Sequence, residues 1–199
     1  MRPNILQLER IAPNAQEVLD VEANVFKAKD PYSGDLLAAS NPIHGIITRG
    51  KGDVSKDLIE QCPDLRVIAR CGVGLNNVDI DFATQMGVRV INLPGSNAAT
   101  VAEHTMALIL ALQRRVFQLV TAVKAGNWQF RTDYYGDEIR GKTLGIIGLG
   151  NIGHRVATLA TAFDMQVVYH SSKQADTPWH FVELDTLFAK ADIINDIRL

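Results

Sequence analysis

The sequence predicts an α/β chain built on two doubly wound parallel sheets, the second of them incomplete. Three observations lead there. Short apolar runs alternate with helical patterns from the N-terminus, as expected of parallel strands joined by crossover helices. An apolar stretch with helical periodicity, from Ser96 to Gly126, then interrupts the alternation. A second alternation opens at Gly141 and runs to Leu199. A single βαβ unit takes about 30 residues or more, so this last stretch has room for about half of a six-strand fold.

Taken in order, ILQL (5–8) reads as a strand, Asn14 to Asp20 as a short helix and NVFKA (24–28) as a second strand. HGIITR (44–49) is a buried-type strand, followed by a helix from Ser55 to Gln61 with Ser55 as its N-cap. RVIAR (66–70) and VRVINL (88–93) are further strands. The Pro94-Gly95 pair is a turn signal, which puts a domain boundary near Asn97. The stretch that follows is expected to form one long helix, stopped by Gly126. Beyond it come a strand at TLGIIG, a helix at NIGHRVATLATAF and a strand at MQVVYH. The remainder is read as a strand at HFVEL, a helix at LDTLFAKA and a last strand at DIINDIRL.

Hydrophobic residues make up 47% of the chain and charged residues 21%, ordinary globular usage for 199 residues. With 20 basic and 22 acidic residues the net charge is −2, which argues against a nucleic-acid binder, since such proteins carry a basic excess or stripe. The two cysteines, Cys62 and Cys71, have no metal-ligand spacing and suit a reduced compartment. The N-terminus has no apolar signal region, and the run around MALILALQ is too short to span a bilayer. A cytoplasmic chain with no membrane partner is the expectation.

The motif that carries chemistry is GKTLGIIGLGNIG, with the core Gly148-x-Gly150-x-x-Gly153 placed after a strand and opening a helix. In such a loop the first glycine permits the tight turn and the second lets backbone approach a pyrophosphate. The third lets helix and strand pack closely. Phosphates sit at the helix N-terminus, where unpaired N–H groups and the dipole favour negative charge. Gly148, Gly150, Asn151, Ile152 and Gly153 are therefore candidate dinucleotide-binding residues. An acidic residue about 20 positions on would bond the ribose 2′-OH. The second strand instead ends at Tyr169-His170 and leads into Ser171, Ser172 and Lys173, with Asp176 too far along the loop. A hydroxyl-rich, cationic loop suits a 2′-phosphate, so NADP is favoured over NAD.

Three segments, ITRGKGDVSKDLIE, LRVIARCGVGLNNVDIDFATQMGVRVIN, and NAATVAEHTMALILAL through GNW to the glycine motif, together resemble the D-2-hydroxyacid dehydrogenases, and within them the D-3-phosphoglycerate dehydrogenase branch. The resemblance implies a flavodoxin-like substrate-binding domain over 1–97 and an NAD(P)-binding Rossmann domain over 98–199, of which only the first half is present. It implies an active-site cleft between the two. Gly72, Val73, Gly74 and Leu75 would offer backbone N–H groups to the carboxylate of a 2-hydroxy or 2-oxo acid, as successive loop amides can. Arg49 would be a charge-assisted partner for carboxylate or phosphate, and Arg70 a helper for a phosphorylated substrate. The region of Trp128 and Phe130 would help to form a homodimer. Asn76 stands where the family often has Asp.

The family's chemistry uses an Arg, a Glu and a His from the second half of the cofactor domain, and the sequence has no segment matching that half. Ile197 or Arg198 falls where relatives carry the His of their ADxxxLHLPL segment. The expectation is thus a fragment of an oxidoreductase that moves hydride between NAD(P) and a D-2-hydroxy acid, or a truncated product. The alternative is a non-catalytic dinucleotide-binding or oligomerising remnant. No residue of the chain is assigned a catalytic role. His104 reads as buried or capping, His44 and His170 as structural or peripheral, and Cys71 lacks a visible base partner for a nucleophile's role.

Overall fold

The architecture comes from a computed structural model, which describes residues 2–34, 38 and 42–197. The chain divides into two compact units, Met1–Ser96 and Asn97–Leu199.

In the first unit the strands are short. They are β1 (Asn4–Gln7), β2 (Asn24–Lys27), β3 (Gly45–Thr48), β4 (Val67–Arg70) and β5 (Arg89–Ile91). All pairings are parallel, in the order β2-β1-β3-β4-β5, the flavodoxin-like doubly wound arrangement. The register puts Phe26, Leu6, Ile46, Ile68 and Val90 in one row across the sheet. That apolar row is the centre of the unit's core, with Val54, Leu58, Ile59 and Ala83 packed against it. Helix α1 (Pro13–Glu22) starts with Pro at its first turn and buries none of its residues. Helix α2 (Lys56–Glu60) begins as the sequence indicates, with the Ser55 hydroxyl accepting from Leu58 N at 3.4 Å. Helix α3 (Ile80–Gln85) is capped by Asp79, whose carboxylate accepts from Phe82 N at 2.9 Å.

The second unit opens with the expected helix, but as two pieces, α4 (Ala98–Gln113) and α5 (Val116–Lys124), bent by 63°. Arg115 adopts a left-handed backbone with φ 48° and ends the first piece. The carbonyls released by the break find donors in the following loop. The Tyr134 hydroxyl donates to Arg114 O at 2.6 Å, and Asp137 N to Gln113 O at 3.1 Å. A short 3₁₀ turn, Trp128–Arg131, follows α5. No single helix among the described residues is long and apolar enough to cross a membrane.

The sheet of this unit contains β6 (Thr143–Ile147), β7 (Gln166–His170), β8 (His180–Phe181) and β9 (Ile193–Asp196), in the parallel order β8-β7-β6-β9. This is the 3-2-1-4 portion of the dinucleotide-fold order 3-2-1-4-5-6. β8 has only two residues, shorter than the strand read at HFVEL, and β9 ends at Asp196, while 198 and 199 lie outside the described residues. One face of the sheet, with Leu144, Ile146, Val167 and Tyr169, packs against α4 and α6 (Asn151–Ala162) through Ala102, Met106, Val156 and Ala160. The other face is covered by α7 (Leu184–Lys190) through Leu187.

Candidate functional site

Two sets of unpaired backbone amides, one in each unit, stand at the positions the sequence marks for anions. The first is the loop after β4. The amides of Val73, Gly74 and Leu75 have no acceptor among the described residues. The loop is nevertheless fixed in place. Leu93 N donates to Gly72 O at 2.8 Å, the Asn92 amide donates to Val73 O at 2.6 Å, and Val78 N donates to Leu75 O at 3.0 Å. Carbonyls are thus consumed by the protein while the N–H groups are left over, which is the polarity a carboxylate requires.

Arg70, at the end of β4, lies directly over this loop. A Cβ at Gly72 would run into its Nη1, so the glycine makes room for the guanidinium. The Arg70 Nε is buried and has no partner among the described residues. Arg49, by contrast, is exposed and reaches toward Arg10 O at 3.5 Å, on the side of β1 rather than over Gly72. Burial pushes the Cys71 thiol up, against the opposite pull of Arg49 and Arg70. It therefore stays protonated at neutral pH, which removes it as a nucleophile.

The loop carrying Arg49 contains a feature that the sequence did not disclose. Glu9 Oε2 accepts from the amides of Arg49, Gly50, Lys51 and Gly52 at 2.8 to 3.0 Å. Burial alone would raise the Glu9 pKa, but the four amides outweigh it and hold the value at about 2, below the usual 4.5. A carboxylate depressed in the folded state stabilises it above the unfolded pKa, and that stability is lost as pH falls through the folded one. We therefore expect Glu9→Gln to lower the stability of the N-terminal unit at pH 7, by on the order of 1–2 kcal/mol after allowance for partial exposure. The gap to wild type should narrow from pH 4.5 toward pH 2. Circular dichroism melts at both ends of this range are the check, and equal midpoints at pH 7 would contradict it.

The second set of amides lies at the start of α6. Gly150 is the N-cap, no side chain caps the helix, and the first intrahelical bond runs from His154 N to Gly150 O. The N–H groups of Asn151, Ile152 and Gly153 therefore have no acceptor among the described residues, as at any uncapped helix start. The three glycines differ in what holds them. Gly148 has φ 98°, which disfavours any side chain. A Cβ at Gly153 would meet the Gly148 carbonyl oxygen. A Cβ at Gly150 would meet nothing within 4 Å, and its φ of −84° is open to any residue. The fold itself does not ask for glycine at 150. The space left there, above free amides at a helix N-terminus, fits the pyrophosphate of a dinucleotide.

Further along, β7 ends at His170, whose Nδ1 lies 3.0 Å from Val182 O. Ser171 is half-buried, while Ser172 and Lys173 are exposed. The fully buried Tyr169 holds the far end of this loop. Its hydroxyl accepts from Ala175 N at 2.9 Å and donates to Ala175 O at 3.2 Å. His44 is structural, its Nδ1 accepting from Asn4 N at 3.0 Å. His104 corrects the sequence reading, because it is exposed in mid-helix and neither buried nor capping.

The two parallel α/β units, one flavodoxin-like and one with the 3-2-1-4 strand order of a dinucleotide fold, each carry a loop with free backbone amides. A family model for the D-isomer specific 2-hydroxyacid dehydrogenase catalytic domain matches residues 5–191, and the chain belongs to that family. It is similar to hydroxypyruvate reductase of Thermotoga maritima, with 41% identity over 81% of this chain and 53% of the relative. It is also similar to D-3-phosphoglycerate dehydrogenase of Mycobacterium tuberculosis, with 35% identity over 97% of this chain and 37% of the relative. Among solved structures, a 2-hydroxyacid dehydrogenase from Ketogulonicigenium vulgare Y25 superposes with a TM-score of 0.88 at 33% identity, covering 98% of this chain and 64% of that one. The chain thus spans about half, or less, of the length of these two curated relatives.

Proposed function

We propose that the chain supplies the substrate-anion and dinucleotide-phosphate cradles of an NAD(P)-dependent oxidoreductase acting on D-2-hydroxy acids. The observation that carries this reading is the space at Gly150 above three unclaimed amides, a vacancy the fold does not otherwise need. A nicotinamide cofactor supplies the hydride acceptor when bound. In this reading the amides of 73–75 hold the substrate carboxylate, and Arg70, with its unpartnered Nε, orients a second anionic group such as a phosphate. Arg49 adds positive charge from the neighbouring strand end. Proton transfer is not assigned to any described residue: His44 and His170 are committed to backbone partners, and His104 is exposed in mid-helix.

The cofactor is NADP in preference to NAD. The supporting feature is the Ser171-Ser172-Lys173 loop, which offers hydroxyls and a cation where a ribose-binding acid would otherwise stand. Lys173→Asp should weaken NADPH binding by tenfold or more, about 1.4 kcal/mol, and favour NADH. Fluorescence titration of both cofactors is the test; tighter NADH binding by the wild type, or indifference to the substitution, would count against the preference.

We also propose that a second copy of this chain covers the α4–α5 face. Leu112 and Phe117 are 70% and 69% exposed, and Trp128 is 69% exposed. Phe117, Ala122, Ala125 and Phe130 line a groove of about 520 Å³. Two-fold dimers are the commonest closed assembly. Light scattering should give twice the chain mass, and a monomer at every concentration would overturn the assignment.

A further inference from the structure

The 63° bend between α4 and α5 has no cause within its own sequence. Sharp helix kinks arise at Pro, at Gly or Ser pairs, or where a group inserts into the hydrogen-bond ladder. No Gly, Pro or Ser lies between Ala98 and Lys124. An apolar stripe also runs through the bend. Leu108, Leu112, Val116, Val120 and Val123 are all exposed, and their spacing would align them along one side of a continuous helix. At the corner itself Arg115, with φ 48°, takes a backbone that any side chain beyond glycine disfavours.

The bend is held from outside. Gln113 O accepts from Asp137 N at 3.1 Å, and Arg114 O from the Tyr134 hydroxyl at 2.6 Å. In a continuous helix the same two oxygens would accept from Phe117 N and Gln118 N, and Leu112 O from Val116 N. Those three amides have no acceptor among the described residues, the first bond of α5 running from Leu119 N to Arg115 O at 3.1 Å. The two carbonyls thus have two alternative sets of donors, and taking one set leaves the other free. Straightening would exchange the two loop bonds for three helical ones and release the left-handed residue. Against it stands the packing of α5 on the 3₁₀ turn Trp128–Arg131. α5 buries none of its residues, so that packing is light. Opposed terms of similar size make a two-state element.

We propose that the α4–α5 corner is a latched hinge. It is bent while the Tyr134 hydroxyl and the Asp137 amide hold Arg114 O and Gln113 O, and straight from Ala98 to Lys124 once they let go. The latch is tied to the sheet through Asp137, whose carboxylate meets Lys142 Nζ at 2.6 Å immediately before β6. Any change that occupies the Tyr134 hydroxyl releases the hinge. Release carries Phe117 away from Phe130, with which it lines the groove on this face. The hinge rests on the bend alone and not on the proposed dimer.

Amide hydrogen exchange of the full chain, resolved by residue, tests this, with all variants compared at a concentration where light scattering gives one mass. In the wild type the Val116, Phe117 and Gln118 amides should exchange freely. Tyr134→Phe keeps the ring and removes the donor. It should slow exchange at these three amides by roughly tenfold or more while α4 stays protected. Lys142→Ala loosens Asp137 without touching the corner, and should act in the same direction. Arg115→Gly should reverse the effect of Tyr134→Phe, since glycine takes the left-handed backbone freely and weakens a continuous helix. A simple loss of structure would instead speed exchange along both helices. That outcome would overturn the proposal, as would unchanged exchange at the three amides in both Tyr134→Phe and Lys142→Ala, or no reversal by Arg115→Gly.

Discussion

Gly153→Ala is expected to unfold the C-terminal unit while the N-terminal unit stays folded. Alanine in mid-helix normally gains about 1 kcal/mol over glycine. Here the added methyl meets the Gly148 carbonyl oxygen, with its carbonyl carbon at 3.2 Å and Ile146 Cγ2 at 3.4 Å. The first two are backbone, held by the Gly148 N to His170 O bond of 2.8 Å, so they cannot swing aside. Prising α6 from β6 disrupts the packing of Val156, Ala157 and Ala160 on Leu144 and Ile146. We expect a cost of about 3 kcal/mol or more, which exceeds the helix gain. Both tryptophans, Trp128 and Trp179, lie in this unit, so their emission follows it alone. Urea unfolding should show the tryptophan transition lost or moved to low denaturant, with a separate circular dichroism transition from the other unit retained. A tryptophan midpoint equal to wild type would refute the argument.

Gly150→Val, three residues earlier, should do the opposite. The fold has room for it, because an added Cβ meets nothing within 4 Å and a φ of −84° is ordinary. A weaker N-cap costs at most about 1 kcal/mol. The side chain instead occupies the approach to the free amides of α6. NADPH and NADH binding should both fall by tenfold or more, about 1.4 kcal/mol, with the urea midpoint nearly unchanged. If dinucleotide affinity survives in this variant, the phosphate cradle lies elsewhere. Together the two variants separate a glycine required by packing from one required by a ligand.

The turn at Gly148 and the close approach at Gly153 were legible in the sequence because both are local and follow from the spacing alone. The same holds for the strands, whose apolar runs are short and bounded by turns, and for Ser55, which caps the helix it precedes. Long-range polar contacts were not legible. Nothing near Glu9 in sequence announces that its carboxylate will be surrounded by amides some 40 residues away. Nor does the periodicity through Arg114 and Arg115 falter, since no Gly or Pro interrupts it. The break there depends on Tyr134 and Asp137, which receive the released carbonyls from beyond the next helix. His104 misled for a related reason. It lies in a mostly apolar helix, yet with Glu103 it falls on the exposed side of α4 while Ala102 and Met106 take the buried side.

The Tyr169 phenol has a consequence for how this protein can diverge. It grips only main-chain atoms of Ala175, so the loop closes whatever side chains residues 171 to 174 carry. Those four positions are insulated from folding, and only Ser171 among them is even half-buried. A lineage could exchange serine and lysine for an acid there through successive neutral steps, each leaving the scaffold intact. On the reading proposed for this loop, cofactor choice would then be among the most evolvable properties of the chain, while Tyr169 itself would be among the least.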